Sequence, residues 1–167
     1  MEINLAKYHP VATKIVNLLH DKNFWFETFE HEAVKTSKEA ASVRDGYTQS
    51  QGAKAIIIRA KFTATDKKFV MLVMPGDKRF DNTKVKAILK AKDIRFATEE
   101  EVSEVTGGVL PGGVPPFGNL FSLEVIADLT LFENQKIVFN AGDRSFSIAM
   151  NSKDYIELVK PKLDSFI

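Results

Sequence analysis

The 167 residues, 44% hydrophobic and 27% charged, suit one domain with a sizeable core, since folding at this length buries roughly 70% of the surface an unfolded chain exposes. Cysteine is absent, which excludes disulfides, thiolate catalysis and cysteine-ligated zinc or iron–sulfur sites. The net charge is +1, no apolar run is long enough for a membrane span, and the start MEINLAKYHP lacks the apolar stretch of a secretory signal; the expectation is one cytoplasmic domain over residues 1–167.

HPVATKIVNLLHDKN sets Val11, Ile15, Leu18 and Leu19 on one helical face, with Pro10 in the first turn, where its missing N–H is not needed. WFETFEHEA alternates through Trp25, Phe26, Thr28 and Phe29 as a strand. TSKEAASVRDG starts at Thr36 with Glu39 three residues on, a capping box, and the pattern runs to Gly46. KAIIIRAKF and KKFVMLVMPGD, joined by TATD, predict a β-hairpin. NTKVKAILKAKD is a basic amphipathic helix with Asn82 as N-cap and Val85, Ile88 and Leu89 facing inward. IRFAT predicts a short strand, and TEEEVSEVTGG a helix capped by Thr98 and stopped by Gly107. LFSLEVIADLTLF, KIVFNAGD and SFSIAM read mostly as strands, with a turn at Ala141, Gly142 and Asp143, before the helix SKDYIELVKP. Strands and helices do not alternate regularly, so the expected class is α+β: a curved, mixed and partly barrel-like sheet with helices packed on it.

The charge is uneven. Residues 54–95 hold lysines and arginines opposed only by Asp66, Asp77, Asp81 and Asp93, whereas residues 96–134 hold no lysine or arginine. A face for a polyanion and a set of solvated helix faces both account for this. The three histidines, His9, His20 and His31, show no metal-ligand spacing, and no phosphate loop, dinucleotide fingerprint or nucleophile elbow is present; no cofactor and no metal is expected. Glu99, Glu100 and Glu101 suit the first turn of a helix, where carboxylates complement the dipole.

Two features stand out. VTGGVLPGGVPPFGN, between Val105 and Asn119, crowds together glycines and prolines that are sparse elsewhere. Glycine lets a backbone approach a ligand closely and proline stiffens it, so the stretch is either a connecting loop or a wall of backbone donors and acceptors lining a pocket. Lys54, in SQGAKAIIIRA, stands at the mouth of an apolar strand. There it either snorkels to water or projects into a pocket as a cationic donor.

Taken in order, HEAVKTSKEAA, QGAK, MPGDKRFDNTKVKAIL, EEEVSEVTG, GGVPPFG and NAGDRSFSI resemble the YbaK family, over residues 26–158. This is the aminoacyl-tRNA deacylase fold that also forms the editing insertion of bacterial prolyl-tRNA synthetases. The resemblance implies hydrolysis, in trans, of the ester joining a wrong amino acid to the 3′-terminal adenosine of a tRNA, here a proline tRNA carrying a small wrong residue. It implies that Lys54 holds the substrate near its terminal phosphate or carbonyl. A family GxxxP loop maps onto Gly112, Gly113, Val114, Pro115 and Pro116, whose backbone would fix the attacking water or the amino acid, with Phe117 beside it. His31 corresponds to a polar position near the substrate in some members. Others carry a histidine after the late turn, where NAGDRSFSIAM has none. The implied partners are the acceptor end of a mischarged tRNA and prolyl-tRNA synthetase. A tRNA- or synthetase-binding module of the same fold without catalysis, and a hydrolase of small esters that never meets tRNA, are the alternatives.

Overall fold

The structure, a computed structural model, describes residues 3–34 and 36–167; Lys35, within the HEAVKTSKEAA stretch, and the first two residues lie outside the described residues. Helix α1 (Pro10–Asp21) begins at Pro10, with the His9 imidazole accepting from the Val11 N–H. It buries Val11, Ala12, Ile15 and Leu19, while Leu18 is only half-buried. Strand β1 (Phe26–Glu30) follows, leaving Trp25 outside it. Helix α2 (Ser37–Ser42) is capped by Thr36, whose hydroxyl accepts from the Glu39 N–H; it ends before Gly46, which turns with φ +85° further on.

Strands β2 (Ala53–Lys61) and β3 (Lys67–Pro75) form the expected antiparallel hairpin. Helix α3 (Asn82–Leu89) is capped one residue earlier than the sequence suggested, by Asp81, whose carboxylate accepts from the Lys84 N–H. Either residue type caps well, and the ionised one also favours the positive end of the helix. Strand β4 (Asp93–Phe96) leads into helix α4 (Glu99–Thr106), which has the anticipated Thr98–Glu101 capping box and a left-handed Gly107 at its end. Arg95 and the Thr98 N–H hold the Glu101 carboxyl down at about 2. The next apolar stretch is a strand only over β5 (Glu124–Asp128), between 3₁₀ turns at Gly118–Phe121 and Leu129–Glu133.

Strands β6 (Lys136–Asp143) and β7 (Phe146–Asn151) make a second hairpin. Its turn falls at Arg144 and Ser145 rather than at Ala141–Asp143, because Gly142, at φ +98°, absorbs a bulge and lets the ladder continue to Asp143. Helix α5 (Ser152–Val159) ends at the left-handed Lys160, and a strand absent from the sequence reading, β8 (Lys162–Asp164), follows. Three residues are too few to show a period.

The α+β class and the mixing of parallel and antiparallel strands hold, and the strands form two sheets. One is antiparallel, in the order β1-β7-β6; the other is mixed, in the order β4-β2-β3-β5-β8. A single parallel bridge between Gly52 and Val138 joins them. The unbroken apolar run in β3 is explained by burial of both faces. Met71 and Val73 face a cluster shared with α1, β6 and β7, whereas Val70, Leu72 and Met74 face a second cluster with Val85 of α3 and Phe166.

Asp128 fastens the chain end to this second cluster. Fully buried, its carboxylate accepts from the N–H groups of Phe166 at 2.8 Å and Ile167 at 3.2 Å, and from the Thr130 N–H and hydroxyl at 3.0 and 2.6 Å. Burial opposes its ionisation, but these donors outweigh burial and hold its pKa below the ordinary value. A carboxyl with a depressed folded-state pKa stabilises the fold above its unfolded pKa, and that contribution is lost as the pH falls through the folded one. Asp128→Ala is expected to cost roughly 2–3 kcal/mol in urea unfolding at neutral pH, because buried donors are left unpaired. The difference from the unsubstituted protein should shrink as the pH drops below about 4.

Candidate functional site

Strand β2 opens beside Gly52, so Lys54 sits at the strand's mouth with Ala53 and Ala55 on either side. Its ammonium is half-buried and donates to the carbonyl of Lys78, in the turn that follows β3. Burial lowers its pKa, repulsion from Arg79 lowers it further, and Asp77 opposes both. Lys54 lines hollows on more than one side, with its ammonium tied to the turn after β3.

The glycine–proline stretch forms the facing wall, and its carbonyls are tied back to other elements. Arg144 donates to the Pro111 carbonyl through Nε at 2.8 Å and Nη2 at 2.5 Å. Asn140 Nδ2 donates to the Gly112 carbonyl at 2.7 Å, and the Gly142 N–H to that of Gly113 at 2.8 Å. The Tyr155 hydroxyl, deep under α5, donates to the Pro116 carbonyl at 2.5 Å; burial pushes this phenol's pKa up. The Gly113 N–H closes a turn onto Leu110. The N–H groups of Gly112 and Val114 have no partner among the described residues. Gly112 takes φ +88°, and a Cβ there would meet the Arg144 side chain at 2.9 Å, so the loop needs glycine at this point.

Between lysine and loop lies a cavity of about 240 Å³, lined by Lys54, Gly112, Val114, Arg44, Asn140 and Ser37 among others. Arg44 is 6% exposed, and burial brings its pKa down to about 10. It has no carboxylate partner among the described residues. Instead Nε donates to Ser147 Oγ at 3.0 Å and Nη2 to Asn140 Oδ1 at 2.8 Å. Ser147 Oγ also lies 2.7 Å from His31 Nε2, while His31 Nδ1 faces the Glu32 carbonyl at 2.8 Å. With the ring hydrogen on Nδ1, Nε2 accepts from Ser147, while Asn140 Oδ1 accepts from Arg44.

Of the residues singled out in the sequence, Lys54, Gly112 and Val114 share the cavity. Gly113 is buried against the backbone of Asp143 and lines a separate hollow on the other side of the loop. Pro115 and Pro116 are buried, and Phe117 is fully enclosed against Phe139 and Tyr155. These three support the wall from behind. His31 reaches the cavity's polar end only through Ser147. Arg44, Asn140, Ser147 and Tyr155 were not singled out; they come from four separate elements or turns, and no spacing announces their meeting. Among the described residues, no group of three histidine, aspartate or glutamate side chains forms a metal site, and no helix is long and apolar enough to cross a membrane.

The fold has counterparts among known proteins. The family model of the aminoacyl-tRNA editing domain matches residues 31–158, and the chain belongs to that family. It is 29% identical over 163 residues to the multifunctional Ser/Thr-tRNA deacylase ProXp-y of Escherichia coli K12, covering 97% of this chain and 96% of that one. It is 36% identical over 99 residues to the proline–tRNA ligase of Bacillus licheniformis, covering 59% of this chain but 16% of the ligase. The crystal structure of a candidate trans-editing enzyme for prolyl tRNA synthetase shares the fold, with a TM-score of 0.78 at 24% identity over 95% of this chain and 97% of that one.

Tyr155→Phe isolates one tie of the wall, because the ring still fills its place. Leaving the Pro116 carbonyl buried without a donor should lower stability by about 1–2 kcal/mol in thermal or urea unfolding. The amides of the loop should also exchange faster with solvent.

Proposed function

We propose that the chain is a trans-acting aminoacyl-tRNA deacylase, hydrolysing the ester between a wrongly attached small amino acid and the terminal ribose of a tRNA, with proline tRNA as the carrier. The observation that carries this reading is that Lys54 lines one cavity with Gly112 and Val114, whose N–H groups have no partner among the described residues. An aminoacyl ester is already activated, so positioning water and polarising the carbonyl supply much of what hydrolysis needs. Water adds to the carbonyl carbon, and the negative charge that develops on the carbonyl oxygen is met by the loop N–H groups. The tetrahedral centre then expels the ribose oxygen, which leaves with a proton from the attacking water. Lys54 anchors the acceptor end beside the ester.

A cavity of about 240 Å³ admits small side chains and excludes large ones, the sense of discrimination that complements a synthetase's weakness among small residues. Its polar end, Arg44 with Asn140, suits a side chain bearing a hydroxyl. The Escherichia coli relative is named for serine and threonine, and the same two amino acids are the cargo proposed for this chain. The basic face of α3, with Lys84, Lys86 and Lys90, is a candidate contact for tRNA phosphates, and prolyl-tRNA synthetase is the partner whose errors the activity would clear in the cytoplasm.

The test is release of amino acid from a panel of mischarged tRNAs, with uncatalysed hydrolysis subtracted. Lys54→Ala should lower deacylation of seryl- and threonyl-tRNA by at least a hundredfold while leaving the unfolding midpoint unchanged. Tight tRNA binding without release by the unsubstituted protein would instead support a non-catalytic module. Because its pKa is lowered, Lys54 should lose its charge, and the rate should fall, at a pH below the ordinary lysine value of about 10.4. Arg79→Ala removes a repelling charge, so the alkaline limb should move to higher pH.

A further inference from the structure

A second hollow, of about 600 Å³, opens on the other side of Lys54, lined by Lys54, Ile56, Arg79, Phe80, Asn82 and Phe96, with Asp81 also at its wall. It shares Lys54 and Ile56 with the smaller cavity, so the two spaces adjoin across one strand. Their linings differ: the small cavity ends in polar groups, whereas the larger one carries two aromatic rings. Phe96, the last residue of β4, is 62% exposed. Its ring meets Phe80 edge-on, with centroids 5.6 Å apart at 60°. Phe80 in turn packs against the buried cluster around Val85 and Phe166, so the pair rests on a fixed support. Arg79 forms no ion pair among the described residues. Asp81 is occupied in capping α3.

An exposed aromatic face on a firm base, beside an unpaired guanidinium, is the chemistry that takes an unpaired nucleotide: the base stacks and the phosphate meets the cation. The geometry points to this hollow as the seat of the terminal adenosine, its base stacked on Phe96 and its 5′-phosphate at Arg79. The ribose would then lie over Lys54, with its ester entering the smaller cavity. This rests on the deacylase reading for the identity of the nucleotide.

The probe is the ribotrinucleotide CCA, compared with the same oligomer carrying an abasic 3′-terminal ribose. Each is titrated against the full chain at up to millimolar concentration and followed by NMR shifts, with no turnover involved. CCA should bind the unsubstituted protein about tenfold tighter than the abasic oligomer. Phe96→Ala should remove that difference, and Phe96→Trp should retain it, since the effect of an aromatic platform on stacking is about that size. The platform is overturned if the unsubstituted protein binds both oligomers equally or CCA not at all, or if Phe96→Ala keeps the preference. A base-dependent preference that persists in a protein failing to deacylate every mischarged tRNA overturns the deacylase reading alone and supports the platform.

Discussion

Arg144 and the Gly142 N–H, donating to the carbonyls of Pro111 and Gly113, orient the two peptide units that carry the Gly112 and Val114 N–H groups. A peptide unit presents its N–H and C=O in opposite directions, so tying carbonyls to one side commits the remaining donors to the other. The carbonyls of Pro111, Gly112, Gly113 and Pro116 are all held, by Arg144, Asn140, Gly142 and Tyr155. The Gly112 and Val114 N–H groups have no partner among the described residues, and both residues line the small cavity that Lys54 also lines. Such donors need no reorganisation when charge develops on a substrate oxygen, which is where preorganised dipoles act most strongly. The proposed chemistry therefore depends on the second hairpin as much as on the loop, although the hairpin contributes no side chain that titrates near neutrality to the cavity wall.

Arg44 sharpens the same point. A buried cation without a carboxylate is costly, and its lowered pKa records that cost. The hydroxyl of Ser147 and the amide oxygen of Asn140 satisfy two of its nitrogens but do not neutralise it. The cavity thus lies between two cationic side chains, each with a pKa lowered by burial. Evolution towards stability alone would favour an apolar residue here, as replacing buried ions commonly does. Positive potential in a small space is of use where negative charge appears transiently, as it does on the carbonyl oxygen of an ester under attack.

Much of the fold was legible because local physics decides it. Pro10 at a helix start, Thr98 with Glu101, Gly107 in the left-handed region and the Thr63–Asp66 turn are all short-range devices, and each stands where the sequence indicates. Misplacements occurred where two local solutions compete or where tertiary pairing overrides them. Asp81 and Asn82 both cap; Gly142 looks like a turn but serves a bulge; β8 is a strand only because β5 pairs with it. Lys54 and the glycine–proline loop were visible as oddities of composition whose meaning came from the resemblance. The Arg44, Asn140 and Ser147 cluster was invisible, since its members are far apart in sequence and each is ordinary in its own segment.

The position of the cavity follows from how the two sheets meet. Gly52, just before β2, and Val138, within β6, form one parallel bridge between strands of different sheets. Two residues beyond the bridge on each strand stand Lys54 and Asn140, at the same level because the pairing is parallel. Had the ladder continued, backbone hydrogen bonds would have closed the gap and the barrel with it. It stops, and Ala53 and Ala55 are too small to fill the space that opens. Gly52 itself leaves room for the turn before β2, since a Cβ there would crowd the Gln49 carbonyl at 3.1 Å. A seam between sheets therefore supplies the vacant volume, and the strands that part there deliver a lysine from one side and an asparagine from the other. The loop needs only to cover the opening, a task for a stiff backbone with few side chains, and VTGGVLPGGVPPFGN is suited to that task.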